Sequence, residues 1–187
     1  LFISSGIVKR PVDLDYIRFV SDLKMKGLDN SNKYDDEAIN GMPDGASHPF
    51  LFRGNGSEPF TDVSNSWGTG KMKGYFTGAA YADLDNDGNL EIVINCINAE
   101  AVVLKNNSTP KKTISVTLNG NDANTFGLGT KVWLFSRNGM QYQQLAPTRG
   151  FQSSSDYRLH FGIDSLNSAD SVLVVWPNQK YQLIKNV

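Results

Sequence analysis

The chain has 187 residues, of which 40% are hydrophobic and 20% are charged, so it is long and apolar enough to bury a core. It carries 18 basic and 19 acidic residues, and a net charge of -1 gives no general support for binding nucleic acid or an anionic membrane surface. No apolar run in the sequence approaches the roughly 18 residues of a membrane-spanning helix. A single cysteine, Cys96, excludes an internal disulfide framework.

Charge divides the chain into two parts. Residues 1–110 hold 15 acidic and 10 basic residues, whereas residues 111–187 hold 4 acidic and 8 basic residues. The change falls within residues 105–110, a polar stretch of turn-forming residues that is typical of a short linker. We therefore predict two domains, at residues 1–108 and 109–187.

The first part combines helical and strand patterns. Asp13 can cap a helix over residues 14–24, which Gly27 would end, and a second short helix is predicted at 35–40. These form a predicted helical insertion at about residues 11–45. From residue 75 the pattern becomes β, with strands at 75–82, 90–97 and 101–104 that predict a meander. Leu1-Phe2-Ile3 is typical of a strand end, and we expect that strand to begin upstream in a longer chain.

The second part contains a series of short strand patterns. They lie at residues 113–118, 131–135, 140–145, 157–161, 171–176 and 181–184, and Asn138-Gly139 predicts a hairpin between the second and the third. No helix of any length is indicated there. This spacing predicts a compact all-β sandwich or barrel.

The sequence Asp83-Leu84-Asp85-Asn86-Asp87-Gly88-Asn89-Leu90-Glu91 has the spacing of a calcium loop. Acidic residues occupy positions 1, 3, 5 and 9, a glycine at position 6 permits a sharp turn, and position 7 can offer a backbone carbonyl. The loop is not an EF-hand, because Ile94 replaces the glutamate expected at position 12. We predict a structural Ca²⁺ site, and the alternative is a solvated acidic turn. The predicted ligands are Asp83, Asp85, Asp87, Asn89 (through its carbonyl) and Glu91.

Other reactive side chains give weaker patterns. His160 follows Asp156 in alternating β sequence and could act as a general base, but a structural histidine is the favoured interpretation. No G-x-S-x-G sequence is present to expose a nucleophilic serine. Two histidines and one cysteine make a zinc site improbable, and Cys96 in its apolar strand is expected to be a small buried hydrophobe. We therefore predict no catalytic residues.

Two segments resemble known families. The run from Gly78 to Asn95, with Phe60-Thr61-Asp62-Val63-Ser64 before it, resembles an FG-GAP or VCBS-type repeat, the calcium-loop blade of integrin-α-like propellers. The second part resembles the ASPIC/UnbV domain that follows such repeats in cartilage acidic protein-like secreted proteins. That second resemblance rests on Asn124-Thr125-Phe126-Gly127-Leu128-Gly129, Gly150-Phe151-Gln152-Ser153, Leu159-His160-Phe161-Gly162 and Val174-Val175-Trp176-Pro177. Thr125 departs from it, standing where the family usually has arginine.

These resemblances imply a mainly β protein with a partial propeller, the helical insertion, and then a compact all-β domain. They imply a non-catalytic, secreted or cell-surface calcium-binding module that recognises an extracellular protein or glycan. Calcium loops of extracellular modules bind at about 10⁻⁴–10⁻³ M, which suits that location. The alternative is a carbohydrate-binding or carbohydrate-active protein of the cell envelope. That alternative predicts an exposed aromatic beside a cleft, for which the candidates are Trp67, Tyr142 and Tyr157.

Overall fold

A computed structural model describes residues 1–10, 12–25, 39–56, 58–109, 111–121, 123–164 and 166–187. These residues are mainly β, and they form two compact units. One comprises Leu1–Gly78 and Ile94–Val102, and the other comprises Ala79–Val93 and Val103–Val187. The elements are β1 (Phe2–Ile3), α1 (Leu14–Met25), β2 (Phe50–Asn55), β3 (Glu58–Asp62), β4 (Phe76–Ala82), β5 (Glu91–Cys96), β6 (Val102–Leu104), β7 (Lys112–Val116), β8 (Lys131–Ser136), β9 (Gly139–Gln144), β10 (Leu159–Asp164), β11 (Ser171–Val175) and β12 (Tyr181–Lys185).

The predicted helix of the first unit is present as α1. Its first turn is capped by Asp13, whose Oδ1 accepts the backbone N–H groups of Asp15 at 3.0 Å and Tyr16 at 3.3 Å. Both the helix and its capping residue are therefore confirmed. Gly27, the predicted end of the helix, and residues 35–38 of the second predicted helix lie outside the described residues, whereas Ile39 and Asn40 are helical.

Strands β1, β2 and β3 form one antiparallel sheet in that order, with Phe2 opposite Leu51 and Phe52 opposite Asp62. The sequence analysis predicted the first strand but not β2. The predicted meander is confirmed, since β4, β5 and β6 form a second sheet in chain order. Cys96 at the end of β5 is a buried free thiol, as expected.

The second unit contains two further antiparallel sheets. Strands β8, β9, β11 and β12 form a four-stranded sheet in the order β12-β11-β8-β9, and β7 pairs with β10. All six predicted strands of this part are confirmed, and so is the β8–β9 hairpin, in which Ser136 pairs with Gly139 across the turn. Within residues 111–121, 123–164 and 166–187, no helix is present.

Both of these sheets contribute to one apolar core. Alternate residues of β8 and β11 face it, among them Leu134 and Val174, and Phe161 of β10 lies in it completely buried. This alternation follows from the period of two that brings every second side chain of a strand to the same face. None of the described helices has the length and apolar character that crossing a bilayer requires.

Candidate functional site

The acidic loop of residues 83–90 joins β4 to β5, so two strands hold its ends. Asp83 directly follows β4, and Glu91 is the first residue of β5. Between them the backbone reverses through left-handed conformations at Asn86, with φ of 58°, and at Gly88, with φ of 88°. Glycine adopts such a conformation without steric cost, which explains its place at the sixth position of the loop.

Three carboxylates converge inside this loop. Asp83, Asp85 and Glu91 each place one oxygen atom within 4.8 Å of the other two. Asp83 and Glu91 are nearly inaccessible to solvent, at 8% and 3% exposure, whereas Asp85 is exposed. Burying two carboxylates so close together is unfavourable unless a cation or hydrogen bonds compensate their charge.

The carboxylate of Asp83 is only half satisfied within the described residues. Its Oδ2 accepts the backbone N–H of Gly88 at 3.1 Å, but its buried Oδ1 has no hydrogen-bond partner. Glu91 is satisfied differently, since its Oε2 accepts the N–H of Leu84 at 3.0 Å and its Oε1 accepts the N–H of Asn106 at 3.4 Å. A buried, unpaired carboxylate oxygen beside two other carboxylates is the donor set that a hard cation prefers.

The other two predicted ligands, Asp87 and Asn89, are bonded to each other. Asp87 Oδ1 accepts the backbone N–H of Asn89 at 2.8 Å, and its Oδ2 accepts the side-chain Nδ2 of Asn89 at 3.2 Å. Asp87 does not belong to the group of three converging carboxylates. The structure therefore brings three of the five predicted residues together and uses the other two to close the turn.

Two basic residues that the sequence analysis did not single out contact this loop. Lys105 places its Nζ 2.7 Å from Asp85 Oδ2, and this hydrogen bond holds the pKa of Asp85 below its usual value and that of Lys105 above it. Arg158 donates from Nη2 to the backbone carbonyl of Asp83 at 3.3 Å. Neither contact has a local sequence signal, because the partners are 20 and 75 residues apart.

His160 has hydrogen-bond partners at both ring nitrogens. Nδ1 lies 3.2 Å from Ser115 Oγ, its cross-strand neighbour, and Nε2 lies 3.5 Å from Asp156 Oδ2. Burial raises the pKa of Asp156, but hydrogen bonds from Arg158 outweigh this effect and leave that pKa below its usual value. The ring itself is almost completely buried. These bonds fix the orientation of the His160 ring.

The candidate aromatic residues lie in different surroundings. Trp67, Tyr142 and Tyr157 are all exposed. Tyr142 packs against Trp133 with ring centroids 5.0 Å apart and the rings tilted by 43°, and it lines a cavity of about 480 Å³ together with Arg149, Arg158 and His160. Tyr157 packs against Phe126 at 4.7 Å. Trp176, by contrast, is half-buried and packs against the core of the second unit.

Comparison with known proteins identifies the C-terminal region. Residues 120–187 match the family described as ASPIC and UnbV, which confirms that part of the resemblance. This region therefore carries an ASPIC/UnbV domain, and it contains β8 to β12. No curated protein matches the chain.

Proposed function

We propose that this protein is a non-catalytic, calcium-binding recognition module that acts outside the cell or at its surface. The observation that carries this proposal is the unpaired Oδ1 of buried Asp83, beside carboxylate oxygens of Asp85 and Glu91. A calcium ion there would supply the missing partner and neutralise the buried charge. Asp87 and the Asn89 carbonyl would complete the ligand set at the far side of the turn.

Calcium in this site would have a structural role. Asp83 ends one strand and Glu91 begins the next, so an ion bound to both would fix the connection between β4 and β5. We assign these strands and β6 to a blade of an FG-GAP or VCBS-type propeller, on the basis of the sequence resemblance. The same resemblance supports an extracellular location.

A non-catalytic role is supported by the surroundings of His160. Its two ring nitrogens are paired with Ser115 and Asp156, and the ring has almost no solvent exposure. A general base must reach a proton of the substrate, and the side chain of His160 is only 5% exposed.

Calorimetric titration tests the calcium site directly. The metal-free protein should bind one Ca²⁺ with a dissociation constant of about 10⁻⁴–10⁻³ M. An Asp85→Ala, Asp87→Ala double variant should lose this binding, whereas Asp164→Asn, which removes an exposed acid paired with Lys111, should retain it. Equal binding by the double variant, or no heat from the wild-type protein at millimolar Ca²⁺, would refute the proposal.

A further inference from the structure

A second cavity lies in the ASPIC/UnbV region, and we call it the amide groove. It has a volume of about 580 Å³, within the range of sites that bind small molecules. Its walls come from two segments far apart in sequence, residues 119–121 with 124 and residues 176–178 with 180–182. Its lining includes the side chains of Asn119, Asn121, Asn178, Gln182, Trp176 and Tyr181, and also Asn124, whose amide is hydrogen-bonded to the backbone of Leu128.

Backbone hydrogen bonds hold both walls of the amide groove in place. In the first wall, Gly120 N–H donates to Thr125 O at 2.8 Å. In the second, Trp176 N–H donates to Lys180 O at 2.8 Å and closes a tight turn. A site whose walls are ordered before binding loses less conformational entropy when a ligand enters.

Several amide side chains of the groove are available to a ligand. Within the described residues, the side chains of Asn119, Asn121 and Gln182 form no hydrogen bonds, and Asn178 uses only Oδ1, which accepts the N–H of Lys180 at 3.1 Å. Each free amide offers both donors and an acceptor. A ligand with neighbouring hydroxyl groups matches these amides, because each hydroxyl group both donates and accepts hydrogen bonds.

Aromatic surface accompanies these amides. Tyr181 is 72% exposed at the groove. Trp176, which also lines the groove, is held by its packing against the core and lies close to Gly127, where an added Cβ would be only 3.1 Å from the indole. An aromatic ring provides a flat apolar surface with a polar edge, suited to a ligand that has both C–H faces and hydroxyl groups. Lys180 is the one charged residue among the described residues that line the groove.

From these features we infer that the amide groove binds a short, neutral oligosaccharide. Free amides provide hydrogen bonds to hydroxyl groups, and Tyr181 and Trp176 provide the surface for sugar rings. A single lysine among the described lining residues is fewer cations than an acidic oligosaccharide would pair with. The inference rests on the proposed recognition function, for which it names a ligand class. None of the acidic loop residues lines the groove, so each site can be tested without the other.

The test is a titration of the full chain, followed by ¹H–¹⁵N NMR in the presence of calcium. The probes are the neutral hexasaccharides of cellulose, xylan, laminarin, chitin and amylose, with hexagalacturonate as the acidic comparison. We expect at least one neutral probe to give saturable shifts at residues 119–124 and 176–182. The inference is overturned if no neutral probe binds, if the shifts lie elsewhere, or if only the acidic probe binds.

Matched variants connect binding to the groove. Tyr181→Ala should weaken binding by about tenfold or more, the loss typical of an aromatic anchor. Gln182→Leu, at an exposed position of the edge strand β12, should weaken it severalfold without loss of the folded spectrum. Phe151→Ala removes an equally exposed aromatic outside the groove, at 67% exposure, and should leave binding unchanged. Wild-type affinity in both groove variants would overturn the inference.

The calcium proposal and the saccharide proposal can be refuted independently of each other. The Asp85→Ala, Asp87→Ala variant should lose calcium in calorimetry and still bind the saccharide with wild-type affinity. If the saccharide titration fails while calorimetry detects calcium, the recognition ligand is of another class. If calcium is not bound but the saccharide is, the amide groove stands without the calcium proposal. A loss of saccharide binding in a double variant that keeps its folded spectrum would overturn the independence of the two sites.

Discussion

The substitution Asp83→Asn should change stability by an amount that depends on calcium. Without calcium, Asp83 and Glu91 are two buried carboxylates with oxygens no more than 4.8 Å apart. Their repulsion is about 1 kcal/mol when fully screened by water and about 3.5 kcal/mol at an effective dielectric constant of about 20. Asparagine removes this repulsion and keeps an oxygen that can accept the Gly88 N–H. The variant should therefore be more stable than the wild-type protein in EDTA.

With calcium the advantage of the variant should shrink or be lost. At about 10 mM Ca²⁺, an ion bound with a dissociation constant of about 10⁻⁴–10⁻³ M stabilises the wild-type protein by roughly 1.4–2.7 kcal/mol. For a chain of this length, each kcal/mol corresponds to about 2–4 °C in the unfolding midpoint. The variant has lost a charged ligand and should gain little of this increase. Its midpoint should thus lie above that of the wild-type protein in EDTA, and the stability difference should move toward the wild-type protein by roughly 1.4–2.7 kcal/mol in calcium.

Differential scanning calorimetry in 10 mM CaCl₂ and in EDTA measures both midpoints. Asp164→Asn is the matched control, because that carboxylate is exposed and paired with Lys111 outside the loop. The difference in unfolding midpoint between Asp164→Asn and the wild-type protein should be the same in CaCl₂ and in EDTA. If calcium raises the unfolding midpoints of Asp83→Asn and the control by the same amount, the converging carboxylates do not bind the ion.

Three further substitutions test the packing and electrostatics described above. Gly88→Ala should destabilise the protein by about 1–2 kcal/mol, because its φ of 88° disfavours a side chain and the new Cβ would lie 2.8 Å from Thr113 Oγ1. Urea unfolding measures this change, and a free energy of unfolding equal to that of the wild-type protein would contradict the prediction. Phe161→Ala should cost about 3–5 kcal/mol, whereas exposed Phe60→Ala should change stability little, and equal losses would refute the assignment of the core. Because the pKa of Asp156 is lowered on folding, its stabilising contribution is present above the usual aspartate pKa and is lost as the pH falls through the lowered value. The stability gap between wild type and Asp156→Asn should therefore shrink between pH 6 and pH 2, and a constant gap would contradict this.

Local patterns predicted the elements well because each element is encoded by neighbouring residues. The cap at Asp13, the Asn138-Gly139 hairpin and the six strands of the second part are all short-range features. Strand β2 was missed because its apolar start, Phe50-Leu51-Phe52, is followed at once by Arg53 and Gly54, which give no alternation. The pairing of β7 with β10, apart from the four-stranded sheet, had no local signal either.

The acidic loop was predictable as a sequence but not as a site. Spacing identified all the acidic residues, yet it could not show that Asp87 turns toward Asn89 while Asp83 keeps an unpaired oxygen. Lys105 and Arg158 reach the loop from distant segments, and contacts of that kind depend on how the chain folds back on itself. The amide groove also depends on how the chain folds, because neither of the two segments that form its walls has a sequence pattern that indicates a binding site.

The segment 153–156 has a consequence for how this protein can be divided into fragments. Ser153 Oγ accepts the N–H of Ala79 at 3.0 Å, Ser155 Oγ accepts that of Tyr81 at 3.3 Å, and the N–H of Asp156 donates to Tyr81 O at 3.2 Å. A fragment that begins at residue 109 would lack the end of β4 and leave these groups without their partners. Expression of the C-terminal region should therefore start no later than about residue 76, the first residue of β4, so that the fragment retains the strand that these groups bind.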